Sequence, residues 1–180
     1  LSYQPNQTTG WSGDYKDLVR WGHLSPYNLK NTFAFMISLG TAREFSARLL
    51  ATGMRAAALR TLRERQQSGD YVVLLSASPD LYVPEIGRQL NIDRVICTGV
   101  AFRDERLEGT LITPNRRGKE KARVIALLRE EFPTARIAAF GNAASDLAHL
   151  ALVDEPWLVN AGPSARRQAA ALHIAIADWR

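Results

Sequence analysis

Cysteine is nearly absent from this sequence, since Cys97 is the only one in 180 residues. A single cysteine excludes an internal disulfide and is typical of proteins in a reducing compartment, so we expect a cytoplasmic protein. Long apolar runs are also absent: the longest candidate, residues 32–39, is far shorter than the roughly 20 residues that cross a bilayer. The first ten residues are uncharged and mostly polar, and we therefore expect no signal peptide.

Histidine is scarce as well, and the three histidines lie too far apart in sequence to predict a zinc site by spacing. Basic residues outnumber acidic ones, which gives a net charge of +5 and a pI of about 9.7. Most of this charge is arginine spread along amphipathic segments, and no basic stripe is interleaved with aromatic residues. We therefore expect no nucleic-acid partner. The positive net charge is compatible with phosphorylated substrates or anionic lipid surfaces, but it does not distinguish between such partners.

Short β-favouring runs alternate with amphipathic segments, and 46% of the residues are apolar, enough for an ordinary core. The predicted strands are residues 71–75, 94–97, 136–140 and 157–159. Helices are predicted over residues 41–50, 54–67, 82–90, 119–132, 145–151 and 164–172, with two short ones between residues 14 and 39. Residues 99–103 and 107–112 alternate like a β-hairpin. Strands that alternate with helices predict an α/β fold with a doubly wound parallel sheet.

The run from Tyr71 to Leu75 is too short and too β-rich for a buried helix and predicts a strand covered on both faces. It is followed by Ser76-Ala77-Ser78-Pro79, small hydroxyl residues before a proline suited to opening a helix. Open α/β sheets bind ligands at the carboxyl ends of their strands, where a hydroxyl and free backbone N–H groups suit an anion such as phosphate. The alternative is a strand-to-helix turn whose serines only cap the helix.

Two later stretches carry candidate site residues. Lys121 lies in the first turn of a predicted helix, where a positive charge works against the helix dipole and suggests a local role. Asn142 and Asp146 follow a buried strand, and their oxygen atoms are of the kind that Mg²⁺ binds. Taken singly, Lys121 is better explained as a solvated helix residue, and Asp146 as a charge at a helix N-terminus.

In combination these stretches resemble the haloacid dehalogenase (HAD) superfamily, specifically its phosphoserine-phosphatase-like branch (subclass IB). The second motif of that family is a hydrophobic strand ending in Ser or Thr, which Ser76 matches. The third is a helix-borne lysine, matched by Lys121, and the fourth is a strand followed by an acidic, glycine-rich turn, matched by residues 141–146. The motif order and the alternation of strands and helices agree with the family from about residue 41 to residue 165.

The resemblance implies a role for each matching residue. Ser76 and the backbone amide of Ala77 would bind the phosphoryl group. Lys121 would be catalytic, neutralising the nucleophile and the phosphoryl charge. Asn142 and Asp146 would hold Mg²⁺, although Asn142 replaces the aspartate that is commoner at this place.

The first motif of the family is Asp-x-Asp at the end of the first, central strand, and it supplies the nucleophile and the general acid. These 180 residues contain no Asp-x-Asp, and family spacing places the motif before Leu1. We therefore expect an N-terminally truncated form of a Mg²⁺-dependent phosphomonoester hydrolase, inactive by itself. Two alternatives stay open: a non-catalytic HAD-like domain that binds phosphate or a partner, and a HAD-like domain split from a membrane prenyltransferase-type protein.

We expect an irregular lead-in over residues 1–13, a small helical cap over 14–50 and a HAD-like, Rossmann-like α/β core over 51–180 that lacks its first strand. In this branch the cap selects the substrate. Its apolar residues admit a lipid or aromatic phosphate as readily as a small one, and they are equally compatible with ordinary packing between cap helices. The expected partner is a phosphorylated small molecule or a lipid phosphate, and the sequence does not predict an oligomeric state.

Overall fold

The computed structural model describes residues 39–103 and 106–179. They form two compact units, one of residues 39–54 and 64–115, the other of residues 55–63 and 116–179. The first unit contains α1 (Leu39–Gly53), β1 (Val73–Pro79), α3 (Val83–Gln89), β2 (Arg94–Thr98), β3 (Val100–Arg103) and β4 (Arg106–Leu111), while α2 (Ala56–Gln67) passes from the second unit into the first. The second unit contains α4 (Lys119–Glu131), β5 (Ala138–Gly141), a 3₁₀ turn (Ala144–Asp146), α5 (Leu147–Leu150), β6 (Glu155–Val159), α6 (Pro163–Ala171) and β7 (Ala175–Ala177).

In the first unit β1 and β2 pair in parallel, with α3 as the connection between them. The predicted strand–helix–strand unit is thereby confirmed. The end of β1 differs from the prediction, because the strand continues to Pro79 instead of stopping before Ser76. Contacts with the next strand extend it: the Thr98 hydroxyl donates to the Ala77 carbonyl at 3.0 Å, and Asp80 N–H donates to the Thr98 carbonyl at 2.9 Å. The proline in the first turn of α3 is therefore Pro84, not Pro79.

The antiparallel pair of β3 and β4 confirms the predicted hairpin. Helix α1 packs in the same unit against the start of α3. The rings of Phe45 and Tyr82 meet edge to face with centroids 4.9 Å apart, and the buried Ser46 hydroxyl donates to the Tyr82 carbonyl at 3.2 Å. The predicted lead-in, and the part of the predicted cap that precedes α1, lie outside the described residues.

The second unit is built on the parallel strands β5, β6 and β7. Its core consists of apolar side chains from α5, β6 and α6 and the residues that follow them, namely Leu147, Leu150, Leu158, Ala161, Ala165, Ala169 and Ile174. Strand β7 was not predicted, because Ala-Ile-Ala is too short to show a periodicity of its own. The strand forms by pairing with β6, which is a tertiary contact.

The four strands predicted for the sheet are all present and pair in parallel, which confirms the doubly wound α/β class. The described strands form three hydrogen-bonded sets: β1 with β2 and β3 with β4 in the first unit, and β5, β6 and β7 in the second. Among the described residues β1 pairs with β2 alone and β5 with β6 alone, so each has one unpaired edge. No helix in the described ranges is long and apolar enough to cross a membrane.

Candidate functional site

A salt bridge between α4 and the turn after β5 forms the centre of the candidate site. Lys121 Nζ donates to Asp146 Oδ1 at 2.7 Å, and the two side chains are only 16% and 7% exposed. Gly118 precedes α4 with a φ of 56°, a left-handed conformation that suits glycine, and Lys121 follows within the first turn. Removing one partner of a buried ion pair leaves an uncompensated charge, which typically costs about 3–5 kcal/mol. The pair therefore fixes both side chains in place.

The second carboxylate oxygen of Asp146 holds the turn itself. Oδ2 accepts the backbone N–H groups of Asn142 and Ala143, each at 3.1 Å. Burial by itself raises the pKa of Asp146, but the Lys121 ammonium and these two N–H groups outweigh burial, so the pKa lies below its ordinary value. Asp146 is therefore ionised at neutral pH, as a partner of Lys121 must be.

His149 lies on the next turn of the same segment, three residues after Asp146, and the prediction did not include it. It is 4% exposed, and its Nδ1 lies 4.0 Å from Asp146 Oδ1. Burial, followed by the positive charge of Lys121, lowers the pKa of His149 to about 4, while Asp146 acts in the opposite direction. The imidazole is therefore neutral at pH 7. The i, i+3 spacing from Asp146 is the sequence signal that could have found it.

A second group of charges surrounds the start of α4. Glu120 accepts from the guanidinium of Arg123 at 2.8 and 3.0 Å and also forms an ion pair with Arg116. Hydrogen bonding to Arg123 lowers the pKa of Glu120 despite some desolvation, and Arg116 adds to the effect. The acidic side chain of Glu120 is thus paired with two arginines, while Lys121 is paired with Asp146.

The donor chemistry of the turn after β5 fits Mg²⁺ only in part. The Asn142 side chain is exposed and carries an amide oxygen, whereas three donors already occupy most of the four or so lone-pair positions of Asp146. No cluster of three His, Cys, Asp or Glu ligands occurs in the described part of the chain. Mg²⁺ commonly uses one or two carboxylates together with water and phosphate oxygens. Asn142 and Asp146 therefore suit two positions of such an ion, and other oxygens would have to fill the rest.

Ser76 and Ala77 lie in the first unit, where the register of β1 against β2 shifts between Leu75 and Pro79. Ser76 Oγ accepts from the Ser78 N–H at 3.1 Å, which leaves the hydroxyl proton available to donate. Irregularities of this kind re-aim side chains and are common beside active sites. The structure thus brings Lys121, Asn142 and Asp146 together in one unit and places Ser76 and Ala77 in a β irregularity of the other.

A family model of haloacid dehalogenase-like hydrolases matches residues 14–151, more than half of the chain. The chain belongs to the haloacid dehalogenase-like hydrolase family. The match spans the segments that carry Ser76, Lys121 and Asp146, which are the segments on which the sequence resemblance was based.

The chain is similar to one curated protein in sequence and to several solved structures in fold. Protein CicA from Caulobacter vibrioides is 36% identical over 117 residues, 63% of this chain and 51% of CicA. The chain thus spans about half the length of the curated relatives it matches. A protein of unknown function from Bordetella pertussis Tohama I has a TM-score of 0.69 at 16% identity, covering 92% of this chain and 79% of that one. A probable phosphoserine phosphatase from Vibrio cholerae has a TM-score of 0.67 at 14% identity, covering 89% and 49%. At these identities the structural likeness shows the HAD-like fold alone.

Proposed function

We propose that this HAD-family hydrolase acts on phosphomonoesters with the help of Mg²⁺, and that the residues attacking phosphorus lie outside these 180 residues. One observation supports this most directly: a lysine ammonium held 2.7 Å from a buried carboxylate at the carboxyl end of a parallel strand. A lysine held in this way provides a fixed positive charge at the sheet edge where α/β proteins bind their ligands. Phosphoryl transfer depends chiefly on such pre-positioned charge.

Lys121 has the capacity for this role. An ammonium group has three N–H donors, and Asp146 accepts one of them. The remaining donors are available to phosphoryl oxygens. Asp146 then works as the group that holds Lys121 and the backbone of the turn, and its lowered pKa keeps it charged for that purpose.

The resemblance to the HAD family implies that Ser76 and the Ala77 amide also bind phosphate. The Ser76 hydroxyl retains its proton for donation, and the strand is irregular between Leu75 and Pro79, where the Ala77 N–H lies. Mg²⁺, held by Asn142 and Asp146 with other oxygens, would supply charge neutralisation for the phosphoryl group. The substrate class that follows is a phosphorylated small molecule or a lipid phosphate, and the reducing cytoplasm is the proposed compartment.

The second candidate is a non-catalytic domain that binds phosphate or a partner. The absence of Asp-x-Asp from the 180 residues favours it, because Ser76 cannot replace a carboxylate nucleophile without an adjacent base. No observation favours the membrane prenyltransferase alternative over these two.

Binding of inorganic phosphate to the 180-residue chain tests the site itself. Titration calorimetry is expected to show binding that falls at least about tenfold in Lys121→Met, since one charge-assisted hydrogen bond is worth about 1.5–3 kcal/mol. Lys119→Met is the matched control, because Lys119 is an exposed lysine at the start of the same helix. Equal loss in both variants would mean that general positive charge, and not Lys121, attracts the anion.

Turnover of p-nitrophenyl phosphate with Mg²⁺ separates the two candidates. The 180-residue chain is expected to be inactive, and a longer form in which a strand ending in Asp-x-Asp precedes residue 1 is expected to be active. Lys121→Met should abolish most of that activity. Binding without turnover in the longer form would favour the non-catalytic domain. Strong Mg²⁺-dependent turnover by residues 1–180 alone would place the nucleophile within the present chain and overturn the proposal.

A further inference from the structure

His149 is a buried polar side chain of the candidate site to which the proposed chemistry assigns no part. It is 4% exposed, and its Nδ1 has no hydrogen-bond partner among the described residues. Buried ring nitrogens are normally paired, because an unpaired one loses its hydration without compensation. The unpaired Nδ1 of His149, buried beside the Lys121–Asp146 pair, therefore requires an explanation.

The geometry supplies one. His149 Nδ1 lies 4.0 Å from Asp146 Oδ1, the same oxygen that Lys121 Nζ contacts at 2.7 Å. That separation is about 1 Å longer than an N–H···O hydrogen bond, so a small rotation of the ring or the carboxylate would close it. The Asp146 side chain is 7% exposed, so water has little access to it.

The position of the ring proton decides whether Nδ1 can donate. A neutral imidazole carries one N–H, on either Nδ1 or Nε2. With the proton on Nδ1, that N–H faces the negative oxygen. With the proton on Nε2, a nitrogen lone pair would face it, and the two would repel each other.

We propose that His149 is a positioning residue for the Lys121–Asp146 pair, whose Nδ1–H turns to Asp146 Oδ1 when the Lys121 ammonium is drawn toward an anionic phosphoryl group. Oδ1 loses part of the donation from Lys121 at that moment, and His149 replaces it. The carboxylate, and with it the turn that carries Asn142, then keeps its place while the lysine serves the ligand. This inference rests on the proposed phosphate site.

Nitrogen-15 NMR of the histidine ring tests the proposal without turnover or ligand. The unaltered chain is expected to show a neutral ring protonated at Nδ1. In Lys121→Met, where the ammonium is missing, the Nδ1 proton is expected to move downfield as it bonds to Asp146. Lys119→Met should leave the signal unchanged. A ring protonated at Nε2 in both the unaltered chain and Lys121→Met would overturn the proposal.

Binding of inorganic phosphate gives a second, independent measurement. His149→Leu keeps a similar volume without a donor and is expected to weaken binding about tenfold, the equivalent of one hydrogen bond to a charged group. His149→Asn has an amide donor near the position of Nδ1 and is expected to stay within about threefold of the unaltered chain. A merely structural role predicts the reverse order, because Leu packs better in an apolar site than Asn. Equal affinity in His149→Leu and the unaltered chain would overturn the proposal.

Different results would refute the proposed phosphate site and the proposed role of His149. If the unaltered chain binds no phosphate, the proposed function fails, and the ring spectra alone decide whether His149 supports Asp146. If phosphate binds and depends on Lys121 but not on His149, the proposed function stands and the role of His149 is refuted. If His149→Leu does not fold, the spectra of Lys121→Met still decide.

Discussion

Gly141 has no room for a side chain because Asp146 occupies the space beside it. A Cβ atom built on Gly141 would lie 2.6 Å from Asp146 Cβ and 3.1 Å from its Cγ. This close approach lets the Asp146 carboxylate fold back over the N–H groups of Asn142 and Ala143. The glycine at the end of β5 is therefore part of the candidate site, although it carries no chemistry of its own.

Gly141→Ala is expected to displace Asp146. Overpacking of this kind typically costs about 1–3 kcal/mol of unfolding free energy, and displacement of the carboxylate should also weaken phosphate binding. Gly53→Ala is the matched control, since nothing lies within 4 Å of a Cβ at that helical position. Urea denaturation and phosphate titration of both variants check the prediction. Unchanged binding by Gly141→Ala would show that the turn tolerates a displaced Asp146.

Asn142→Asp is expected to tighten Mg²⁺ binding about tenfold, because a carboxylate replaces a neutral amide at a proposed ligand position. Asn91→Asp adds the same charge at an exposed position of the other unit and serves as the control. Calorimetric titration with MgCl₂ measures both. An equal gain in the two variants would mean that Mg²⁺ responds only to net charge and that Asn142 is not a ligand.

The free energy of unfolding is expected to fall as the pH is lowered, because the buried His149 ring resists protonation. Its pKa drops from the ordinary 6.5 to about 4 in the folded chain, so between these values the unfolded state binds the proton and the folded state does not. Unfolding is therefore favoured as pH decreases through this window, by an amount on the order of 2 kcal/mol. In His149→Leu this part of the pH dependence should vanish. Denaturant titrations at pH 7, 5.5 and 4.5 measure it, and parallel pH profiles for the two proteins would contradict the prediction.

The unpaired strand edges predict self-association. Among the described residues, β1 and β5 each leave one row of backbone N–H and C=O groups without a strand partner. Such edges cost free energy when buried and pair with other chains when exposed. Sedimentation velocity of the 180-residue chain is expected to show association that rises with concentration. A monomer throughout the accessible range would mean that another segment of the chain covers these edges.

Local sequence patterns predicted the elements apart from β7, but not where each element ends. The apolar run after Tyr71 and the amphipathic segment from Lys119 predicted β1 and α4, because burial imposes its period directly on the sequence. The extension of β1 to Pro79 depends on hydrogen bonds to Thr98, a residue on the next strand. A hydrogen bond between two strands produces no periodic pattern in the sequence, so the extension could not be predicted from it.

The sequence by itself determined the fold class, the family and the candidate residues Ser76, Lys121, Asn142 and Asp146. Only the tertiary structure decided which atoms meet. Lys121 and Asp146 are separated by 25 residues, and their 2.7 Å contact exists because the packing of α4 against the segment after β5 brings them together. The same packing buries His149 beside them and lowers its pKa, which a lone histidine in a sequence does not reveal. Periodicity is a local property of the chain, whereas charge pairing and desolvation depend on distances through space.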